Sequence, residues 1–185
     1  TKGDENRNKA IYLYDTKRRE GRQITAAYHD DVEAVFCEKD RFICLISRRE
    51  FNPVFGDIDT TWTYTRSSGL YLLATDKNTR SPFLQEGISP EFSNGKAEKK
   101  SKQKSLQAGI FTDESALIRI PMDPGVIRNI KAAENSVVYQ RVDPLSQETS
   151  VHQFDFLAKE ETLLLAKAKL LDVSSDGSTA LLRRG

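Results

Sequence analysis

The chain has 185 residues, which is enough for one domain or part of one, since domains cluster near about 100–150 residues. Hydrophobic residues make up 38% and charged residues 30%, a balance that favours a fold with much exposed surface or a core completed by further chain. The 28 basic and 27 acidic residues leave a net charge of +1, which excludes a global field for nucleic acid or an anionic membrane. No run approaches the roughly 18–20 apolar residues of a membrane span.

The N-terminal stretch 1–9 is polar, lacks the apolar core of a signal peptide and has no initiator Met. We therefore expect the chain to come from the middle of a longer protein. Two cysteines, Cys37 and Cys44, make neither a disulfide framework nor a metal cluster. We expect both to be ordinary buried side chains, which favours a reducing compartment.

Strand signals dominate the chain, because its apolar segments are short and rich in β-branched, aromatic or aliphatic residues. Residues that supply or preset turn dihedrals separate these segments. A helix or a strand with a loop could occupy 157–171, and its position between two strand signals favours the strand. The predicted strands are 10–14, 33–37, 42–47, 69–74, 116–120, 136–140, 151–156, 169–173 and 179–183. The predicted turns lie at 20–21, 52–53, 123–125, 143–144 and 176–177.

An internal repeat organises these strands. The stretch Ile11–Asp15 opens one unit and Val151–Asp155 opens another, and each is followed by a charged turn, a hairpin and an arginine pair. A third unit lies between them. Repeated four-strand units of about 40–50 residues predict a propeller. The sequence thus predicts one all-β domain over 1–185, a partial β-propeller of about three four-stranded antiparallel blades at 10–49, 69–141 and 150–184.

Three blades fall short of the four or more, commonly about six to eight, that close a propeller ring. Apolar blade faces and strand edges would then be exposed. We expect the remaining blades of the same protein to cover them.

A polar insertion interrupts the middle unit at 85–107. Five lysines fall within the nine residues 96–104. Such a tract buries too little apolar surface to offset its ordering entropy, so we expect a flexible, disordered loop. No aromatic residue or arginine is interleaved with the lysines, which favours a solvated spacer over a nucleic-acid or membrane arm.

Two segments resemble known propeller repeats. The stretch Val173–Gly177 resembles the Ser-Pro-Asp-Gly hairpin of TolB-like repeats, with Ser175 in place of proline, whereas Phe36–Phe42 keeps only the spacing and lacks the glycine. The longer stretch 45–56, continued through 62–65, 69–72 and 81–83, resembles a blade of the tricorn protease family. It has a serine-arginine strand end, an asparagine-proline loop, an aromatic stretch, a tyrosine-bearing strand and a serine-proline-phenylalanine exit before a charged insertion.

The tricorn resemblance covers about 10–184 and implies a function. Tricorn-like enzymes are large cytoplasmic serine peptidases that form ring-shaped oligomers and degrade oligopeptides. Their propellers resemble channels that guide peptides to a distant catalytic module. The nucleophilic serine, its histidine and the oxyanion donors lie in that module, and no position here matches them. The resemblance thus implies no catalytic, cofactor or metal residue in this chain, and as partners it implies peptides, further blades, the catalytic module and a second copy of the chain, without nucleic acid or membrane.

Individual residues that could carry chemistry have plainer interpretations. His29 lies in a polar loop with no nucleophile indicated, and His152 is expected to be a packed or exposed strand residue. Asp57 and Asp59 could hold a cation or do acid–base work, but further oxygen ligands are not evident, so solvent exposure is favoured.

Asp15 and Asp155 recur at equivalent repeat positions, which predicts that each accepts backbone N–H bonds in the following turn. Trp62 and Tyr64 would share a strand face, where they either anchor a blade or line a peptide channel. There is no glycine-rich phosphate loop and no Gly-x-Ser-x-Gly elbow.

Two alternatives to the tricorn-like segment stay open. One is a TolB-like propeller of a non-enzymatic protein-binding module, and the other is the propeller lid of a prolyl-oligopeptidase-type hydrolase. The charged insertion that follows 81–83 favours the tricorn-like segment over both.

Overall fold

The computed structural model describes residues 8–50, 53–55, 62–64, 66–76, 79, 81–83 and 117–184. Within these ranges the chain forms β-strands and no helix, which confirms the predicted all-β class. None of these residues belongs to a helix that could span a membrane. The strands are β1 Tyr12–Asp15, β2 Glu20–Gln23, β3 Asp31–Cys37, β4 Phe42–Ser47, β5 Pro53–Phe55, β6 Trp62–Tyr64, β7 Gly69–Ala74, β8 Leu117–Arg119, β9 Val126–Ala133, β10 Ser136–Val142, β11 Thr149–Asp155, β12 Glu160–Leu165, β13 Ala168–Val173 and β14 Ala180–Arg184.

The strands form two four-stranded antiparallel sheets flanked by two half-sheets. The first sheet has the order β3-β4-β7-β8 and the second the order β9-β10-β11-β12. The pairs β1-β2 and β13-β14 stand before and after them, and the hairpin β5-β6 lies in the connection from β4 to β7. The first strands of successive units touch, β3 against β9 and β9 against β13. This arrangement of small sheets stacked side by side confirms the predicted partial propeller.

Hydrogen bonding sets a different phase for the blades from the one used in the sequence repeat. The predicted unit 10–49 contains β1 to β4, and 150–184 contains β11 to β14. Each of these units therefore combines the last two strands of one sheet with the first two strands of the next. A repeat fixes the period but not the phase, because any starting strand gives the same similarity.

Three apolar layers hold the sheets together. The largest lies between the two four-stranded sheets, with Phe42, Leu72 and Phe154 almost fully buried. A second layer packs the β1-β2 pair on the other face of the first sheet, and a third packs the β13-β14 pair on the second sheet. Each four-stranded sheet therefore packs against a neighbouring sheet on both of its faces. The free thiols of Cys37 and Cys44 are buried in the largest layer, as predicted.

Aspartate-led turns connect several strands, as predicted for Asp15 and Asp155. The carboxylate of Asp155 accepts the backbone N–H groups of Leu157 and Ala158 at 2.7 and 2.8 Å, and Asp15 caps its own turn in the same way. The predicted turn at Asp143-Pro144 has the same capping. The predicted turn at Glu20-Gly21 is wrong, because Gly21 pairs with Tyr14 inside the β1-β2 ladder. The chain reverses four residues earlier and closes at Arg19, whose φ of 60° replaces the expected glycine.

Strand β9 escaped prediction because a bulge disturbs its alternation. Asn129 has a φ of 52°, and the register of β9 against β10 shifts next to it. The buried residues Ile127 and Ile130 are consequently three apart instead of two. A strand whose buried residues are three apart does not show the alternation of apolar and polar residues by which strands are predicted.

Some predictions concern residues outside the described ranges. These are the pair Asp57 and Asp59 and the insertion 85–107. Trp62 and Tyr64 lie on β6, paired with Phe55 and Pro53.

The β13–β14 turn depends on Gly177, which has a φ of +74°. A Cβ atom there would collide with the backbone N of Glu134 and would lie 2.9 Å from the Cα atom of Ala133, the last residue of β9. We expect Gly177→Ala to destabilise the fold by more than about 1 kcal/mol, because it combines a strained φ with a backbone collision.

Urea unfolding followed by circular dichroism measures the effect. Gly21→Ala is the matched control, since the nearest atom to its new Cβ would be a tyrosine ring carbon at 3.3 Å. Equal stability of the two variants would contradict the role of Gly177.

Candidate functional site

A cleft of about 530 Å³ opens where β10 ends and β11 begins. It lies on the face of the second sheet that packs against the first sheet. Along this face the side chains change from apolar to polar, because Val137 and Phe154 belong to the core whereas Arg141 and Ser150 border the cleft. Further residues that border the cleft are Arg66, Pro144, His152, Glu161 and Leu163.

Strand alternation brings the polar side chains together. Ser150 and His152 are two apart on β11 and therefore point to the same face. On β10, Arg141 stands opposite Ser150 and Tyr139 stands opposite His152. On β12, Glu161 pairs with the residue two beyond His152, within diagonal reach of the imidazole.

The imidazole of His152 is fixed on three sides. Its Nε2 lies 2.9 Å from the hydroxyl of Ser150, and its Nδ1 lies 3.0 Å from Oε1 of Glu161. The ring stacks on Tyr139 with a centroid distance of 6.1 Å and an interplanar angle of 20°. Only 17% of the histidine side chain is exposed, so its orientation is well constrained.

Arg141 fixes the carboxylate of Glu161 in turn. Its Nε and Nη2 both donate to Glu161, the latter at 2.8 Å, and Nη2 also donates to the carbonyl of Asp123 at 2.9 Å. Gly125 leaves the space that this guanidinium occupies, since a Cβ there would collide with it. This bidentate contact fixes the orientation of the Glu161 carboxylate.

The ionisation of Glu161 determines the direction of the hydrogen bonds. Burial alone raises the pKa of Glu161, but hydrogen bonds from His152 and Arg141 together outweigh it and lower the pKa to about 2. The carboxylate is therefore ionised and can only accept, so Nδ1 of His152 donates to it. In the neutral imidazole with its proton on Nδ1, Nε2 accepts a hydrogen bond from the hydroxyl of Ser150. Hydroxyl, imidazole and carboxylate follow the order of a hydrolase triad.

A second polar network lies on the first sheet but is saturated by its own members. Arg49 pairs with the buried Asp31 at 3.2 Å and lies over the ring of Tyr71. The hydroxyl of Tyr71 donates to Glu50 at 2.7 Å, and Arg119 donates to the same oxygen at 2.6 Å. This network has a structural role, because its charges neutralise one another.

The sequence placed His152 on a strand, and the structure places it on β11 with partners that the sequence did not indicate. A serine two residues before a histidine on a strand is a weak signal by itself. The sequence does not connect Glu161 with this serine and histidine, because the connection depends on the pairing of β12 with β11. His29 lies in the turn that precedes β3. The described residues contain no group of three or more His, Cys, Asp or Glu side chains that could hold a metal ion.

Comparison with known proteins rests on the fold. No family model matches the chain, and no curated protein matches it. A solved structure, the crystal structure of the tricorn protease, matches with a TM-score of 0.73 and 16% sequence identity. The match covers 95% of this chain and 17% of that chain. The chain therefore has the fold of a tricorn-like propeller segment and spans about a sixth of the length of the protein that it resembles.

Glu161 should make the free energy of unfolding depend on pH in the acid range. In the unfolded chain its carboxyl titrates near 4.5, and in the folded protein near 2. Its contribution to stability is therefore complete above about pH 5 and is lost as the pH falls toward 2, because the unfolded chain takes up the proton first. We expect Glu161→Gln to be less stable than the wild type at pH 7 and the difference to narrow below pH 4.

Urea midpoints measured between pH 2 and pH 7 test this coupling. Glu148→Gln removes an exposed carboxylate that pairs with Lys167 and controls for the change in net charge. A constant difference between wild type and Glu161→Gln across this range would contradict the expectation.

Proposed function

We propose that the chain is a propeller segment of a tricorn-like serine peptidase that degrades oligopeptides. In this proposal the segment guides peptides toward a distant peptide-cleaving module and supports assembly, and it does not contain the residues that cleave peptide bonds. The observation that carries the proposal is the fold match to the tricorn protease over 95% of the chain. The proposal includes a cytoplasmic location and a homo-oligomer, both taken from the resemblance of the sequence to that family.

Exposed apolar side chains at both ends of the stack support further blades as partners. Tyr12 and Tyr14 are 63% and 58% exposed on β1, on the face that points away from the first sheet. At the other end, Leu171 and Leu181 are 45% and 61% exposed on the outer face of the β13-β14 pair. Such faces are covered by neighbouring sheets in a closed propeller.

The half-sheets support the same conclusion. Phe36 on β3 is 42% exposed, on the face that β1 and β2 cover only in part. A four-stranded sheet would cover this face along its whole width. We therefore expect two further strands of the same protein to stand above Phe36.

The proposed peptide route follows the first strands of the sheets, β3, β9 and β13, of which β9 contacts the other two. Their edges are joined by polar contacts, since the carboxylate of Glu33 accepts the N–H of Ile130 and the amide of Asn129 donates to the carbonyl of Leu170. These contacts occupy backbone groups that an added strand would need. A peptide would thus pass along side chains such as the exposed Arg128 and Lys169 without adding to a sheet.

A TolB-like binding module is the second candidate, favoured by the hairpin at Ser174–Gly177. Its turn closes with the N–H of Gly177 donating to the carbonyl of Ser174 at 2.8 Å, as the Ser-Pro-Asp-Gly resemblance implies. This hairpin occurs in many propellers and does not distinguish enzymes from binding proteins.

The reading frame that follows the codon of Gly185 distinguishes the candidates. We expect a PDZ-like segment and then a serine peptidase module. A stop codon would favour the TolB-like binding module, and an α/β-hydrolase elbow would favour a prolyl-oligopeptidase-type lid. Either result would contradict the proposed function.

The exposed end faces should make the separate chain associate with itself. We expect the wild type to form oligomers and to bind an apolar dye, and the double variant Phe36→Ser/Leu181→Ser to shift toward monomer. Light scattering and dye fluorescence at equal concentration measure both. Leu145→Ser is the matched control, because Leu145 is 94% exposed on the β10–β11 turn, away from the end faces. A wild type that is monomeric and binds no dye would show that these faces need no cover.

A further inference from the structure

The hydrogen-bonded chain from Ser150 through His152 to Glu161 has a use beyond the scaffold of a propeller. We propose that Ser150 is an activated hydroxyl that is acylated by small esters with good leaving groups, such as aryl esters. This reactive site is separate from the peptide-cleaving module of the proposed function and does not depend on it.

The general base is in place for this chemistry. Nε2 of His152 accepts the hydroxyl proton of Ser150 over 2.9 Å, which is within the range of a nucleophile and its base. The ring is held by Tyr139 on one face and by Glu161 at Nδ1. An imidazole that is already oriented loses little entropy when it takes the proton.

The carboxylate stabilises the protonated imidazole that forms in the step. Glu161 is ionised and is held by two bonds from Arg141. The guanidinium offsets part of the negative charge, so the electrostatic help to the imidazole is smaller than that from an unpaired carboxylate. This restricts the chemistry to substrates that are already reactive.

The cleft gives a small ester access to the hydroxyl. Ser150 and His152 both border it, and the side chain of Leu163, 54% exposed, supplies an apolar wall for an aryl group. The exposed guanidinium of Arg66 borders the same cleft and brings positive charge toward a developing oxyanion.

The step balances without a cofactor. Oγ of Ser150 forms a bond to the ester carbonyl carbon while its proton moves to Nε2 of His152. The bond from carbon to the leaving oxygen breaks, and the leaving phenolate takes the proton from the imidazolium. Water then hydrolyses the acyl-serine by the same route.

Peptides are excluded as substrates by the strand that carries Ser150. Its backbone is paired with Arg141 in the β10-β11 ladder. In many hydrolases a sharp turn exposes both the nucleophile and a free backbone N–H that binds the oxyanion. Ser150 lies within a paired strand and has no such turn. Cleavage of an amide, with its poor amine leaving group, needs this stabilisation of the oxyanion, whereas cleavage of an aryl ester does not.

Labelling of the full 185-residue chain tests the proposal. The chain is treated with p-nitrophenyl acetate and, separately, with a fluorophosphonate, and the modified residue is located by peptide mass spectrometry. We expect one adduct, on Ser150, that is absent in Ser150→Ala and forms at least about 10-fold more slowly in His152→Gln, since general base catalysis contributes about 10²–10⁴-fold.

Matched controls separate reactivity from folding. Ser146→Ala removes an exposed serine four residues away and should leave the rate unchanged. Circular dichroism confirms that each variant is folded. Absence of an adduct on Ser150 in the folded wild type would overturn the proposal, and so would equal rates in wild type and His152→Gln.

Discussion

Face-to-face packing of small sheets is the constraint on which the rest of the structure depends. Strands β4 and β7 are buried at all six of their positions, because apolar layers cover both faces of the first sheet. Such strands cannot alternate between apolar and polar residues, and both segments are almost continuously apolar. A single sheet of this kind has no stable face in water, so each unit requires a neighbour on either side.

Polar contacts fix how the sheets are placed once the apolar layers bring them together. Apolar packing has little directional preference, and sheets could slide along it. The bonds from Ile130 to Glu33 and from Asn129 to Leu170 join the first strands of three successive units at specific residues. The positive φ of Asn129 aims its amide at the next unit. The bulge that hides β9 from sequence analysis is therefore also the feature that connects β9 to its neighbour.

The predictability of each part follows from how local its determinants are. Strands β4 and β7 were predicted to the residue, because a continuous apolar run bounded by polar residues is visible in one segment. The aspartate turns were predictable for the same reason. The turn predicted at Gly21 was wrong, because Arg19 adopts the positive φ of the turn and Gly21 lies in a strand. The cluster around His152 was invisible, because it joins three strands whose pairing no single segment encodes.

The position of that cluster explains why a reactive arrangement can persist in a scaffold. It lies where the apolar layer between the sheets ends, so its side chains are half-buried and their hydrogen bonds are little weakened by water. A carboxylate in that position needs a cation, and Arg141 meets this need. The ring of His152 then fills the remaining space, with one nitrogen directed to the carboxylate and the other to Ser150. The same packing that stabilises the second sheet thus orients a hydroxyl, a base and an acid toward one cleft.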